Sequence, residues 1–216
     1  MNQIKIRPAT LNDVPEINDI LNNAILNTTY NLKEQARPID EAEDWFKTHT
    51  NEGYPIIVAE IDNTVAGWAS LSHFRNFSGY DSTAEVSVYV SSSHRHKGIG
   101  SLLLAELERV AKFHMLIAVI TDNNTASLTL HSRCGFAPMC TIHELGKKNG
   151  EYLSITFMTK KINKYHLDKQ KNPNYDMYPL YWTPSKEGIL MRYSYEYKKE
   201  CVELYRQGKW AETPKG

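Results

Sequence analysis

The chain has 216 residues, 41% of them hydrophobic and 23% charged, so it can bury a core and is not a disordered polymer. Its 25 basic and 25 acidic residues cancel, which removes whole-chain electrostatic attraction as a reason to bind nucleic acid or a membrane. Cys134, Cys140 and Cys201 lack CxxC spacing, no apolar run reaches the ~18–20 residues that span a bilayer, and residues 1–10 have no signal-peptide core, so a disulfide framework, a cysteine-rich metal site and a membrane anchor are not expected.

Ile4-Lys5-Ile6-Arg7-Pro8 alternates and stops at proline, a short strand. Thr10, three residues before Asp13, signals a helix start, and Leu11, Val14, Ile17, Leu21 and Ile25 recur at helical spacing. Residues 27–38 are polar and read as a loop. Asp40 and Glu43 have the spacing of a capping box for a second helix with Trp45 and Phe46, broken at Gly53-Tyr54-Pro55. Ile56–Ile61 and Val65–Leu71 form a hairpin across Asp62-Asn63. Residues 73–81 form a loop that contains Arg75. From Thr83 to Val90 the pattern alternates: Ala84, Val86, Val88 and Val90 on one face, Glu85, Ser87 and Tyr89 on the other. A basic turn over 91–97 precedes a helix over 98–112 with Ile99, Leu103, Leu107 and Val110 on one stripe. Leu116–Ile120 is a buried strand, and Thr125–Cys134 is a helix closed by Gly135. Phe136–Ile142 and Tyr152–Met158 are strands joined by a loop around 146–150. The order β-α-α-β-β-β-α-β-α-β-β alternates too little for a doubly wound sheet and predicts an α+β fold, a mixed sheet flanked by helices.

The strongest chemical signal follows Val88-Tyr89-Val90. It is Arg95-His96-Lys97-Gly98-Ile99-Gly100-Ser101, opening a helix. First-turn amides lack intrahelical partners and the helix dipole is positive there, so such a turn suits a phosphate. On pattern alone a glycine-assisted turn with solvated basic residues explains it as well. Leu103 stands where a dinucleotide fingerprint needs a small residue, and no P-loop sequence is present.

The turn and its surroundings resemble the GNAT superfamily of N-acetyltransferases, in which R-x-x-G-x-G/A cradles the pyrophosphate of acetyl-CoA. The likeness runs from about Ile4 to Lys161. It sharpens to the phosphinothricin acetyltransferase-like branch on Tyr54-Pro55, Gly67-Trp68-Ala69, Thr83 to Val90, Ala118-Val119-Ile120, Asn124 to Ser127, Leu130-His131 and Gly135-Phe136. The resemblance implies a central mixed sheet with two splayed strands, acetyl-CoA as cosubstrate and no metal. It implies a cytoplasmic homodimer and direct transfer to the α-amine of a small amino acid or analogue such as phosphinothricin or methionine sulfoximine.

The same resemblance assigns residues. Glu85 would be the general base. His131 would donate a proton or orient the acceptor. The strand segment Val88, Tyr89 and Val90 would meet the pantetheine arm through the backbone of Val88 and Val90. Arg95, His96, Lys97, Gly98, Ile99, Gly100 and Ser101 would hold the pyrophosphate. Asn124 and Ser127 would meet the far end of the arm, while Arg75 and Tyr30 would bind the acceptor. Deprotonating an α-ammonium of pKa ~8 at pH 7 costs about 1.4 kcal/mol, against about 4.6 for a lysine at ~10.4, which favours a small amino-acid acceptor over a lysine side chain. Two departures from the branch are His96 in place of a glycine and Gly150-Glu151-Tyr152 in place of a tryptophan. The alternatives are a polyamine or protein N-terminus as acceptor, or a non-catalytic acyl-CoA-binding fold whose tail binds RNA or a partner.

The charge balance hides a division. Residues 1–159 carry 13 Lys and Arg against 18 Asp and Glu, while residues 160–216 carry 12 against 7 and hold 8 of the 13 tyrosines. A catalytic domain over 1–162 and a basic, aromatic extension over 163–216 are therefore expected. Ile189, Tyr193, Tyr197, Cys201 and Tyr205 form a stripe that suggests a partly helical extension, while Ile189, Met191, Tyr193, Tyr195 and Tyr197 also alternate as a strand would. Its spacing points to packing rather than to single-stranded nucleic acid.

Overall fold

The computed structural model describes residues 3–162; the aromatic extension over 163–216 and its expected helix lie outside the described residues. The strands are β1 (Lys5–Pro8), β2 (Ile56–Ile61), β3 (Thr64–His73), β4 (Thr83–Val90), β5 (Met115–Thr121), β6 (Ala137–Lys148) and β7 (Glu151–Lys161). They form one seven-stranded sheet in the order β1-β2-β3-β4-β5-β7-β6. The helices are α1 (Val14–Asn27), α2 (Ile39–Asn51), α3 (Ile99–Val110) and α4 (Thr125–Arg133). Among the described residues every expected helix and strand is present in the expected order.

Both faces of β2 are covered, which explains why Ile56 to Ala59 reads as an apolar run rather than an alternating one. On one face Ile57, Ala59, Ala84, Val86, Leu116 and Ala118 pack with Ile99, Leu103 and Leu107 of α3. On the other Ile56, Val58, Val65 and Trp68 pack with Ile17, Leu21 and Ile25 of α1 and Phe46 of α2. The alternation in β4 therefore sends Ala84 and Val86 toward α3 and Glu85, Ser87 and Tyr89 toward the side of α1 and α2. At the close crossing of β3 and β4, a Cβ on Gly67 would lie 2.8 Å from the Tyr89 carbonyl oxygen, so only glycine fits without a backbone shift.

The N-terminal strand is fixed by an ionic brace. The Arg7 guanidinium donates two bonds of 2.8 Å to Asp13, which opens α1, and its Nε donates at 2.7 Å to Glu60 of β2. Hydrogen bonding to Arg7 holds the buried Asp13 carboxyl down to about 2, against an ordinary 3.8. The sign follows from linkage: a depressed carboxyl stabilises the fold above its unfolded pKa and loses that contribution as pH falls through the folded one. Stability is expected to drop by about 2 kcal/mol between pH ~4 and pH ~2 through this group. Urea midpoints measured across that window check it; in Asp13→Asn the acid loss should shrink by that amount.

Two local expectations need correction. The second helix starts at Ile39 with Pro38 as its N-cap, so Asp40 is inside the first turn; it supports the helix through the dipole rather than as a cap. The expected loop around 146–150 is a tight Asn149-Gly150 turn, both residues at positive φ, and β6 runs through Gly146 to Lys148. A bulge between Ile142 and Gly146, with Glu144 at φ 55°, absorbs the irregular sequence.

Candidate active site

The central parallel pair, β4 and β5, is joined only through Thr83–Met115, Ala84–Leu116 and Glu85–Ile117. Beyond Glu85 the two strands part. Val86 to Val90 keep β3 on one edge and leave the other edge outside any ladder with β5. A cavity of about 820 Å³ opens in the gap, bounded by β4, β5, the start of α3, α4 and the α1 side of the sheet. Such a gap offers a run of backbone donors and acceptors to an extended polar ligand.

At one end of the cavity is the basic turn. Gly98, at φ 78°, is the N-cap of α3. The first intrahelical bond runs from Leu102 N–H to the Gly98 carbonyl, so the amides of Ile99, Gly100 and Ser101 are the orphan donors of the helix. A Cβ on Gly100 would lie 2.8 Å from a Leu130 methyl, so glycine lets α3 and α4 approach. His96 has φ 61°, the left-handed region that glycine enters freely and other residues enter at roughly 1–2 kcal/mol. The residue is unusual but the turn geometry of a glycine is retained.

Glu85 lies where the strands separate. Burial pushes its carboxyl up from the ordinary glutamate value, and the Arg75 charge pulls part of the way back. That combination makes it a better proton acceptor than a solvated glutamate. Tyr89, on the same face, stacks on Trp68 and accepts a 2.9 Å bond from the Asn31 side chain. On the opposite wall His131 is 2% exposed, and burial pushes its imidazole down. Its Nδ1 is 2.8 Å from the Ser127 carbonyl oxygen. A carbonyl only accepts, so in the neutral ring Nδ1 carries the proton and Nε2 presents a lone pair. Nε2 is itself buried and has no hydrogen-bond partner among the described residues.

Most residues singled out in the sequence come together here. Glu85, Val88, Tyr89, Val90, Arg95, His96, Gly98, Ile99, Gly100, Ser101, Asn124, Ser127, His131 and Tyr30 all line the cavity. Asn124 also caps α4 by accepting from the Ser127 amide at 3.1 Å. Lys97 and Arg75 are exposed and do not line it; the Arg75 guanidinium sits over the Phe74 ring, in electrostatic reach of Glu85. Sequence reasoning missed Asp19 and Asn23 of α1, Asn31 and Leu32 of the following loop, and Arg133 of α4, all of which line the cavity. The α1 periodicity does leave Asp19 and Asn23 off the apolar stripe. Neither described cysteine lines the cavity.

The model of the acetyltransferase (GNAT) family matches residues 21–136. The chain belongs to this family. Among GNAT relatives, the L-amino acid N-acyltransferase MnaT of Escherichia coli K12 is 36% identical over 79% of this chain and 98% of its own length. The L-methionine sulfoximine/L-methionine sulfone acetyltransferase of Pseudomonas aeruginosa is 39% identical over 71% of this chain and 91% of its own. The GNAT phosphinothricin acetyltransferase of Sinorhizobium meliloti, solved in complex with acetyl-CoA, superimposes with a TM-score of 0.71 at 33% identity, covering 74% of this chain and 88% of that one. The GNAT cofactor fits this site: the orphan amides of α3 suit a pyrophosphate and the open edge of β4 suits an amide-bearing arm. Among the described residues no cluster of metal-ligating side chains occurs, and no helix is long and apolar enough to cross a membrane.

Proposed function

We propose that this chain transfers the acetyl group of acetyl-CoA to the α-amine of a small amino acid or analogue of the methionine sulfoximine, methionine sulfone or phosphinothricin type. The observation that carries the reading is the position of Glu85, half-buried at the point where β4 and β5 part and facing the side of α1 and α2. The named activities of the relatives, at 36% and 39% identity, support the acceptor class.

In this reading Glu85 takes a proton from the acceptor ammonium, directly or through one water. The freed nitrogen lone pair forms the C–N bond at the thioester carbonyl. A backbone N–H on the open edge of β4 near Val88 stabilises the oxygen as it gains charge. The C–S bond then breaks, the nitrogen gives up its second proton as the amide forms, and the leaving thiolate takes up a proton to become CoA, so that the protons balance. Arg95 and the amides of residues 98–101 hold the pyrophosphate, with Lys97 adding charge from the exposed side of the turn. Tyr30 lines the acceptor side of the cavity, while Arg75, outside the wall but in electrostatic reach of Glu85, adds positive charge that favours a substrate carboxylate.

The catalytic domain in this reading ends near residue 162. We also propose a cytoplasmic homodimer. The exposed Met139, Ile142 and Leu145 on β6, the edge strand of the sheet, support pairing with a second copy.

The test is an acceptor panel read by CoA release. Methionine sulfone, methionine sulfoximine and phosphinothricin are expected to exceed spermidine and an alanyl peptide by ~100-fold or more in kcat/KM. Preference for spermidine or the peptide would overturn the acceptor assignment.

A further inference from the structure

Lys148 is the last residue of β6 and leads into the Asn149-Gly150 turn, a setting in which a lysine ordinarily stands in water. Here it is 1% exposed, among the most buried large side chains described. Its Nζ donates 2.6 Å bonds to two backbone carbonyls, Ile25 and Asn31. Ile25 belongs to the last turn of α1, whose carbonyls have no intrahelical donors and lie at the negative end of the dipole. Asn31 belongs to the loop between α1 and α2. One ammonium therefore ties the end of a helix to the loop that follows it, from a residue more than a hundred positions away.

That loop forms the acceptor-side wall of the cavity through Tyr30, Asn31 and Leu32. The Asn31 backbone is held by Lys148 while its side chain donates at 2.9 Å to the Tyr89 hydroxyl. Tyr89 shares a strand face with Glu85. The neighbouring contacts point the same way. The Asn149 amide donates at 2.8 Å to the Glu34 carboxylate, and a Cβ on Gly146 would lie 2.8 Å from a Leu32 methyl, so the β6–β7 hairpin and the loop are closely fitted. Burial pushes the Lys148 ammonium down, with Glu34 opposing. Because a neutral amine still donates hydrogen bonds, the anchor does not depend on the charge alone.

We infer that Lys148 is a positioning residue for the acceptor: it holds the 28–38 loop, and through Asn31 the Tyr89 hydroxyl, in the geometry that receives the amine beside Glu85. The inference rests on reading this side of the cavity as the acceptor site. It gives the loop a fixed point in a segment that, by composition, has few apolar residues to pack.

Full-length Lys148→Met is expected to raise the KM for methionine sulfone by ~10-fold or more while leaving acetyl-CoA affinity within about twofold. Amide exchange across residues 29–33 should quicken by ~10-fold or more with α3 unchanged. Asn31→Ala should raise the acceptor KM in the same direction, and the double variant should fall short of the product of the two effects. An acceptor KM within twofold of the wild type in a folded Lys148→Met protein, or exchange that quickens equally in α3, would overturn the inference. If Lys148→Met does not fold, Asn31→Ala decides: it keeps both lysine bonds, and an unchanged acceptor KM would count against the loop as an acceptor wall. Wild-type protein that acetylates no amino acid would instead sink the acceptor reading, and the exchange comparison would still decide whether Lys148 holds the loop.

Discussion

Glu85→Gln is expected to lower kcat by roughly 10²–10⁴-fold, the usual contribution of a general base. Acetyl-CoA affinity, measured by calorimetry, should stay within about twofold, because the amide keeps the size of the carboxylate and the cofactor contacts lie further along β4 and on α3. The pH profile carries a second signature. Burial raises the Glu85 carboxyl above the ordinary glutamate value, and a base works only when deprotonated. The acid limb of kcat/KM should therefore fall at a pH above the ordinary glutamate pKa, and it should vanish in the glutamine variant. His131 is displaced in the opposite direction, below an ordinary imidazole, so it stays neutral over the pH range where most assays run. A kcat within about threefold of wild type in Glu85→Gln would remove this residue as the base.

Gly98→Val is expected to act on the other end of the site. Gly98 has φ 78° and begins α3, so a β-branched side chain there opposes the left-handed backbone by roughly 1–2 kcal/mol. No atom lies within 4 Å of the added Cβ, which means the cost is conformational rather than a clash. The turn can relieve it only by rotating the amides that follow, and those are the donors for the pyrophosphate. The KM for acetyl-CoA should rise by ~10-fold or more, the loss of one or two charge-assisted hydrogen bonds. Acceptor KM at saturating acetyl-CoA should move little. A fall in thermal stability without change in either KM would show that the glycine serves folding alone.

The opposed cases in this chain explain what the residues reveal and what they hide. The sheet and its four helices were legible because apolar spacing alone distinguishes a face from an edge. Thr83–Val90 is the clearest example: its two-residue alternation alone sets Glu85 on the face opposite Ala84, Val86, Val88 and Val90. The pyrophosphate turn was legible because glycine is required both at positive φ and where α3 meets α4. His96 hid part of that turn, since a histidine at φ 61° leaves no trace in composition. The acceptor wall was less legible. Asn31 and Leu32 sit in a polar loop whose shape is set by bonds to Lys148, and a lysine beside an Asn-Gly turn carries no signal of burial. The resemblance to GNAT enzymes supplied Arg75 and Lys97, yet both stand outside the cavity wall here. Long-range contacts of this kind depend on tertiary packing, which local pattern does not encode.

The most direct measurement is a crystal structure of the protein with CoA and methionine sulfone bound together. The sulfur is expected in the gap where β4 and β5 part, the pyrophosphate on the amides of residues 98–101, and the acceptor nitrogen within hydrogen-bonding reach of Glu85, directly or through a single water. Density for the CoA arm outside that gap, or an amine held on the far side of the sheet from Glu85, would contradict it.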